Sequence, residues 1–172
     1  MLRQNSLNRS VALGLLYLLG ITFANANNNR YEAYSQPSAE SIVINEIMPA
    51  NIDMFVDKSG NYGGFVEIYN PTDKPVRLLH MHVSDEADNL RKFRLKASAG
   101  VAPAKGFCVI WFDHNGGDGD FFLEADAQVP FKLDYNGGAV YISDSEGNLI
   151  AMQKYPKAAS RVSWARNTDG VA

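Results

Sequence analysis

Along residues 65 to 70, "FVEIYN", successive side chains point to opposite faces, so Val66 and Ile68 share one face and Phe65, Glu67 and Tyr69 the other. The apolar pair belongs on a core. That leaves Glu67 on an outward face between two aromatics, where a carboxylate can meet a cation on a neighbouring strand at little desolvation cost. Asn70-Pro71-Thr72-Asp73 then ends the strand, because Pro71 has no N–H for a ladder and Asn or Asp side chains cap turns. From Ser41 onward, similar short runs rich in Val, Ile, Phe and Tyr recur between clusters of Gly, Pro, Asn and Asp. The pattern predicts strands over 41–47, 65–70, 75–79, 81–85, 92–96, 106–112, 130–134, 139–144, 149–155 and 161–165. Gly147-Asn148, between two of these runs, is a hairpin signal. No stretch keeps an apolar i, i+3, i+4, i+7 stripe for three turns, so no long helix is expected. The predicted fold is all-β, an antiparallel sandwich of the immunoglobulin type over residues 41–170, with a barrel left open by periodicity alone.

The first 26 residues follow a different pattern. Arg3 and Arg9, with no acid, precede an apolar run from Val11 to Phe23 that ends in the small-x-small tripeptide Ala24-Asn25-Ala26. This reads as a secretory signal peptide cleaved near Ala26, and the run falls short of the roughly 18 residues expected of a membrane span. A polar leader, 27–40, connects it to the strands. The expected location is therefore secreted, periplasmic or on the cell surface, with no membrane span.

Losing two arginines and no acid takes the formal net charge from −3 to −5. A chain of that charge lacks the clustered Lys and Arg that nucleic-acid binding needs, so no nucleic-acid partner is expected. The single cysteine, Cys108, permits no internal disulfide and sits in "FCVIWF", where it reads as a small buried hydrophobe. The chain after residue 26 is long enough for one self-sufficient core and too short for two.

The stretches "VINEIMPAN" at 43–51, "FVEIYNPTDKPVRLLHMHVSD" at 65–85, "KFRL" at 92–95, "VAPAKGFCVIWFD" at 101–113, "FKLDYNGGAVYISDSEGNLI" at 131–150 and "SWARNTDG" at 163–170 follow one another in a familiar order. Together they resemble the lamin-tail domain, an immunoglobulin-like module found at the end of nuclear lamins and in many exported bacterial proteins. Bacterial members usually carry a Gly and an aromatic shortly before the Ser-Asp, where this chain has Leu79-His80-Met81-His82, so a differently built turn is expected there. The resemblance implies a module with no catalytic centre of its own, used for interaction or targeting, and in bacteria often joined to nucleases, phosphatases, proteases or CotH-like kinases. On that basis the chain is expected to be part of, or derived from, a larger extracellular protein, with a protein or a cell-surface glycan as partner. The alternatives are a calcium-dependent carbohydrate-binding module, or an accessory domain of a secreted hydrolase or CotH-like kinase.

Four groups of residues carry candidate chemistry. In "DHNGGDGDFFLE", 113–124, the residues Asp113, Asn115, Asp118 and Asp120 with three glycines offer oxygen ligands to calcium, although Asp118 stands where an EF-hand requires Gly. The plainer reading is a long solvated loop. His80 and His82 lie on one face of a strand and offer two imidazoles to zinc or copper, with Asp85 or His114 as a third ligand. Glu46 with Glu67 supplies the two carboxylates a glycosidase needs, without any accompanying catalytic signature. Tyr31, Tyr34, Tyr62, Tyr69, Tyr135 and Tyr155 are expected in loops or on outward faces, with Trp111 and Trp164 in the core. No enzyme activity is expected.

Overall fold

The computed structural model describes residues 34, 38, 41–57, 60–96, 99–113 and 127–167. All of the described strands belong to the unit Ser35–Ala172. They are β1 (Val43–Met48), β2 (Gly64–Tyr69), β3 (Val76–Arg77), β4 (His82–Ser84), β5 (Phe93–Arg94), β6 (Val101–Ala102), β7 (Phe107–Phe112), β8 (Ala127–Val129), β9 (Gly137–Ser143), β10 (Leu149–Pro156) and β11 (Trp164–Ala165). One sheet runs β11-β1-β2-β7-β8 and the second β10-β9-β4-β5, while β3 and β6 form a two-stranded ribbon. The described residues contain no α-helix.

Ile44, Ile47, Val66, Ile68, Ile110 and Phe112 of the first sheet meet Val83, Val140 and Ile142 of the second in one core. The alternation read from β2 is therefore the observed one, with Val66 and Ile68 fully buried. In β1 the register shifts between Ile44 and Glu46, which makes Asn45 the extra residue of a bulge and lets Ile44 and Ile47, three apart, both point inward. A second shift, between Leu149 and Ala151, turns Tyr155 inward to 4 % exposure, so this tyrosine is not the outward residue expected from its position. Trp164 is also displaced from expectation. It lies on the edge strand β11 and is 44 % exposed, while Trp111 is buried, though on the opposite face of the first sheet from the main core.

The antiparallel expectation holds except at β8, which pairs parallel with β7. A parallel neighbour requires a crossover of a dozen residues or so, and the stretch after Phe112 is long enough to supply one. Pro130 ends β8 because it has no N–H to add to the ladder, so the strand expected over 130–134 lies instead at 127–129. The hairpin at Gly147 forms as read, with Gly147 at φ 92° and Asp144 Oδ1 accepting the backbone N–H groups of Glu146 and Asn148 at 2.8 Å each. The side-chain amide of Asn148 and those backbone donors hold the Asp144 carboxyl below the usual carboxylate range.

Asn70 ties the end of β2 to the β3–β6 ribbon. Fully buried, it donates its amide to the carbonyls of Lys74, Ala102 and Pro103 at 2.8, 3.1 and 2.9 Å and accepts from Thr72 N and Oγ1 at 2.9 and 2.7 Å. The turn before β4 takes a backbone conformation that favours glycine, although no glycine stands there. His80 occupies it with φ 75°, the left-handed region that glycine enters freely. Holding a side chain there costs about 1 kcal/mol, and more for a β-branched residue. We therefore expect His80→Gly to leave the urea midpoint unchanged or raise it slightly, and His80→Val to lower stability by about 1–2 kcal/mol. The reverse order would mean that the contact between His80 Nδ1 and Arg94, and not the backbone, sets the conformation of this turn.

Candidate functional site

The register of the first sheet arranges its outer face in three rows. Met48, Phe65 and Trp111 align in one, Glu46, Glu67 and Val109 in the next, and Tyr69 with Phe107 in the third. Met48, Phe65 and Trp111 pack as a small cluster of their own, with Phe65 and Trp111 meeting edge to face at 5.6 Å. Tyr69 and Phe107 approach to 4.9 Å. Among the described residues no cation stands opposite Glu67 in the register, where its partners are Glu46 on β1 and Val109 on β7. What Glu67 receives is the Asn45 amide, 2.9 Å from Oε1, delivered by the bulge.

The chain between β1 and β2 folds over the first of these rows. Asn51, buried, anchors it by donating to Phe55 O and Gly63 O at 2.6 and 2.9 Å while its Oδ1 accepts from the N–H groups of Met54 and Phe55. Asp57, also buried, accepts from Asn61 N at 2.8 Å and from Gln128 Nε2 on β8 at 2.7 Å. Arg161 grips Asp53 through two guanidinium nitrogens, and this hydrogen bonding lowers the Asp53 carboxyl and raises Arg161. Gly64 has its role in the same place, since a Cβ there would lie 2.9 Å from Pro49 O. Phe55 rests edge-on against Phe65 at 5.8 Å. Yet Ile52, Met54, Phe55 and Val56 remain 55, 48, 49 and 51 % exposed. A loop secured at both ends thus holds four apolar side chains in water.

This loop is not among the sites expected from the sequence, because a short apolar run without period does not reveal whether it is buried. The signal present was Asn51 and Asp57 flanking the run. Both are residues that bind their own backbone in turns.

The other candidates fare differently. Of the acidic stretch, Asp113 is buried at the end of β7, with its N–H bonded to Val129 O at 3.1 Å. Asn115, Asp118 and Asp120 lie outside the described residues. His80 and His82 do not act as a pair. His80 is exposed in its turn, and His82 is buried in β4 with Nδ1 3.0 Å from Asp144 O. Among the described residues no three His, Cys, Asp or Glu side chains converge as a metal set. Glu46 and Glu67 do come together, as cross-strand neighbours on a sheet face. Cys108 packs against the core, and burial pushes its thiol up to about 12, so it remains protonated and unreactive near neutrality. Tyr62 and Tyr135 are exposed as expected.

A recess of about 440 Å³ lies where β10 faces β1 and β11, lined by Ile47, Gln153, Lys154, Trp164 and Arg166 among others. Arg166 works there as a clasp. Its Nε donates to Ile44 O at 2.9 Å and its Nη2 reaches Gln153 Oε1 at 3.3 Å, fastening the last strand across the two sheets. The free edge of β10 is blunted by Pro156 and by Gln153, whose side chain occupies the Lys154 carbonyl.

Residues 35–157 match the family model described as the Lamin Tail Domain. No curated protein matches the chain. The outer face and its loop are therefore to be understood as the surface of an immunoglobulin-like sandwich.

Proposed function

From the premise that the chain belongs to the lamin tail domain family, we infer that it works as an exported, non-catalytic interaction module that docks through the loop Asn51–Asp57. The observation that carries this reading is the exposure of Ile52, Met54, Phe55 and Val56 on a loop whose backbone is already ordered by Asn51 and Asp57. Apolar side chains left in water mark contact surfaces. Because the loop is ordered beforehand, binding need not supply its conformational entropy, so a larger share of the buried apolar area appears as affinity. Export is supported by the Arg3 and Arg9 flank, the apolar run and the Ala24-Asn25-Ala26 tripeptide.

The test uses Ile52→Ser with Val56→Ser, two positions at which solvent already reaches half the side chain. Cells expressing the full chain should release a protein beginning near Asn27. The double variant should melt with the parent and lose partner binding by about 30-fold, as expected when two anchors of a contact are removed. A protein retained uncleaved in the cytoplasm overturns the export half of the reading. Undiminished binding by the double variant overturns the docking half.

A further inference from the structure

The middle of the β1–β2 loop is a tip, not a face. Residues 52 to 56 are all exposed, so exposure does not alternate along them as it does along a strand laid in a groove. Asn51 serves the backbone at the centre of the tip from within: its Oδ1 accepts from Met54 N and Phe55 N at 3.2 and 3.1 Å, and its Nδ2 donates to Phe55 O at 2.6 Å. Asp53 is the one ionisable side chain of the five, and it is paired with Arg161. The tip therefore presents Ile52, Met54, Phe55 and Val56 to water with no unpaired charge among them. At its base stand two more exposed apolar groups. Tyr62 follows Asn61, whose carbonyl accepts from Asp57 N, and Val162 follows Arg161, whose N–H donates to Ala50 O. They are 50 and 40 % exposed.

We propose that this tip inserts into the interfacial layer of a lipid bilayer, holding the domain on a membrane surface without spanning it. Hydrocarbon offers no partner to an open N–H or C=O, so a backbone that enters it must be satisfied from within, as Asn51 does for Met54 and Phe55. A protein groove sets no such condition, because it brings donors and acceptors of its own. Entry is also opposed by charge, and the Asp53–Arg161 pair leaves the tip neutral. The attraction of apolar side chains to a fluid is non-directional, so a lipid surface takes them on every side of a tip, where a groove takes those on one. Tyr62 at the base suits the headgroup level, with its ring toward the acyl chains and its hydroxyl in water. Four half-exposed side chains hide less apolar surface than a myristoyl chain, whose partition constant is about 10⁴ M⁻¹, so the attachment is weak and reversible. This inference rests on the reading of the loop as the docking site and names the class of surface that the loop meets.

The test uses the chain as the cells process it, with phosphatidylcholine vesicles as the probe. Cys108 stays protonated near neutrality, so Val56→Cys and, on the β9–β10 hairpin, Ser145→Cys each supply one reactive thiol for an environment-sensitive dye. On adding vesicles, the dye at position 56 should shift to the blue and be quenched by brominated acyl chains, and the dye at 145 should do neither. In flotation the unlabelled protein should be half-bound at about 1 mM lipid. Ile52→Ser with Val56→Ser should weaken this at least about tenfold at unchanged melting temperature, and salt at about 0.5 M should leave it within about twofold. No binding up to about 10 mM lipid overturns the proposal. So does binding that the double variant retains, or a dye at 145 that responds like the one at 56. Binding that requires phosphatidylglycerol and disappears in salt is adsorption by charge and overturns it too. If vesicle binding fails while a photo-crosslinking amino acid at position 56 captures a discrete protein, or while the double variant dissociates a dimer seen by sedimentation, the loop docks on protein and only the lipid inference falls. If all three fail, the docking reading falls with it.

Discussion

Replacing Val66 by aspartate should leave little or no folded protein, while replacing its neighbour Glu67 by glutamine should change stability hardly at all. Val66 is fully buried between Ile47 on β1 and Ile110 on β7, its register partners, and faces the second sheet. A carboxylate there has no partner of opposite charge, and burying an unpaired charge costs several kcal/mol on top of the lost apolar burial. A domain of this size is stable by about 5–15 kcal/mol, so the substitution consumes most of it. Glu67, one residue on, faces outward beside Glu46. Glutamine keeps an oxygen for the Asn45 amide and removes half of a like-charge pair, so Glu67→Gln should be neutral or stabilising by a few tenths of a kcal/mol. Urea midpoints measure both. A larger loss for Glu67→Gln would mean that the carboxylate belongs to a network beyond the Asn45 amide.

The second large effect is expected at Asn70. Its amide serves three carbonyls, and its oxygen organises Thr72. Asn70→Ala takes this donor from the buried carbonyl of Ala102 and the acceptor from Thr72, while Lys74 O keeps Thr72 Oγ1 and Pro103 O keeps Gly106 N; a buried group left unpaired costs about 1–3 kcal/mol, so a loss of about 2–3 kcal/mol is expected. Asn70→Asp should be worse, although it is nearly isosteric. The oxygen facing Thr72 is kept, but the donor nitrogen becomes a second carboxylate oxygen aimed at three carbonyls. The order wild type, Ala, Asp in falling urea midpoint is the prediction. An Asp variant more stable than the Ala variant would show that packing volume at this junction outweighs its hydrogen bonds.

These two sites illustrate what the sequence reveals and what it hides. The inward pair Val66 and Ile68 follows from period alone, and Asn70-Pro71 is recognisable as a strand end because Pro71 offers no N–H. The hairpin at Gly147 is equally local and equally legible. What escapes is set by partners distant in the chain. The bulge at Asn45 breaks the alternation of β1, and only the register with β2 and β11 places Glu46 opposite Glu67. The shift after Leu149 turns Tyr155 inward against its apparent phase. Trp164 is exposed because β11 ends its sheet, a property of topology to which a single residue's hydrophobicity is blind. The same limit applies to the site. Asn51 and Asp57 are visible as turn residues, but that their turn rests on Phe65 and Gln128 depends on the assembled sheet.

The docking claim meets its most direct test in a photo-crosslinking amino acid placed at Val56, on the exposed run of the loop, and in a second protein at Ser145, on the β9–β10 hairpin of the other sheet. Both positions are exposed, so the two proteins should fold and accumulate alike. After illumination of living cells, adducts are separated from the medium and cell-envelope fractions. A discrete adduct from position 56 that position 145 does not give is the predicted result. Adducts that are the same from both positions, or that arise at 145 and not at 56, would contradict docking through the loop.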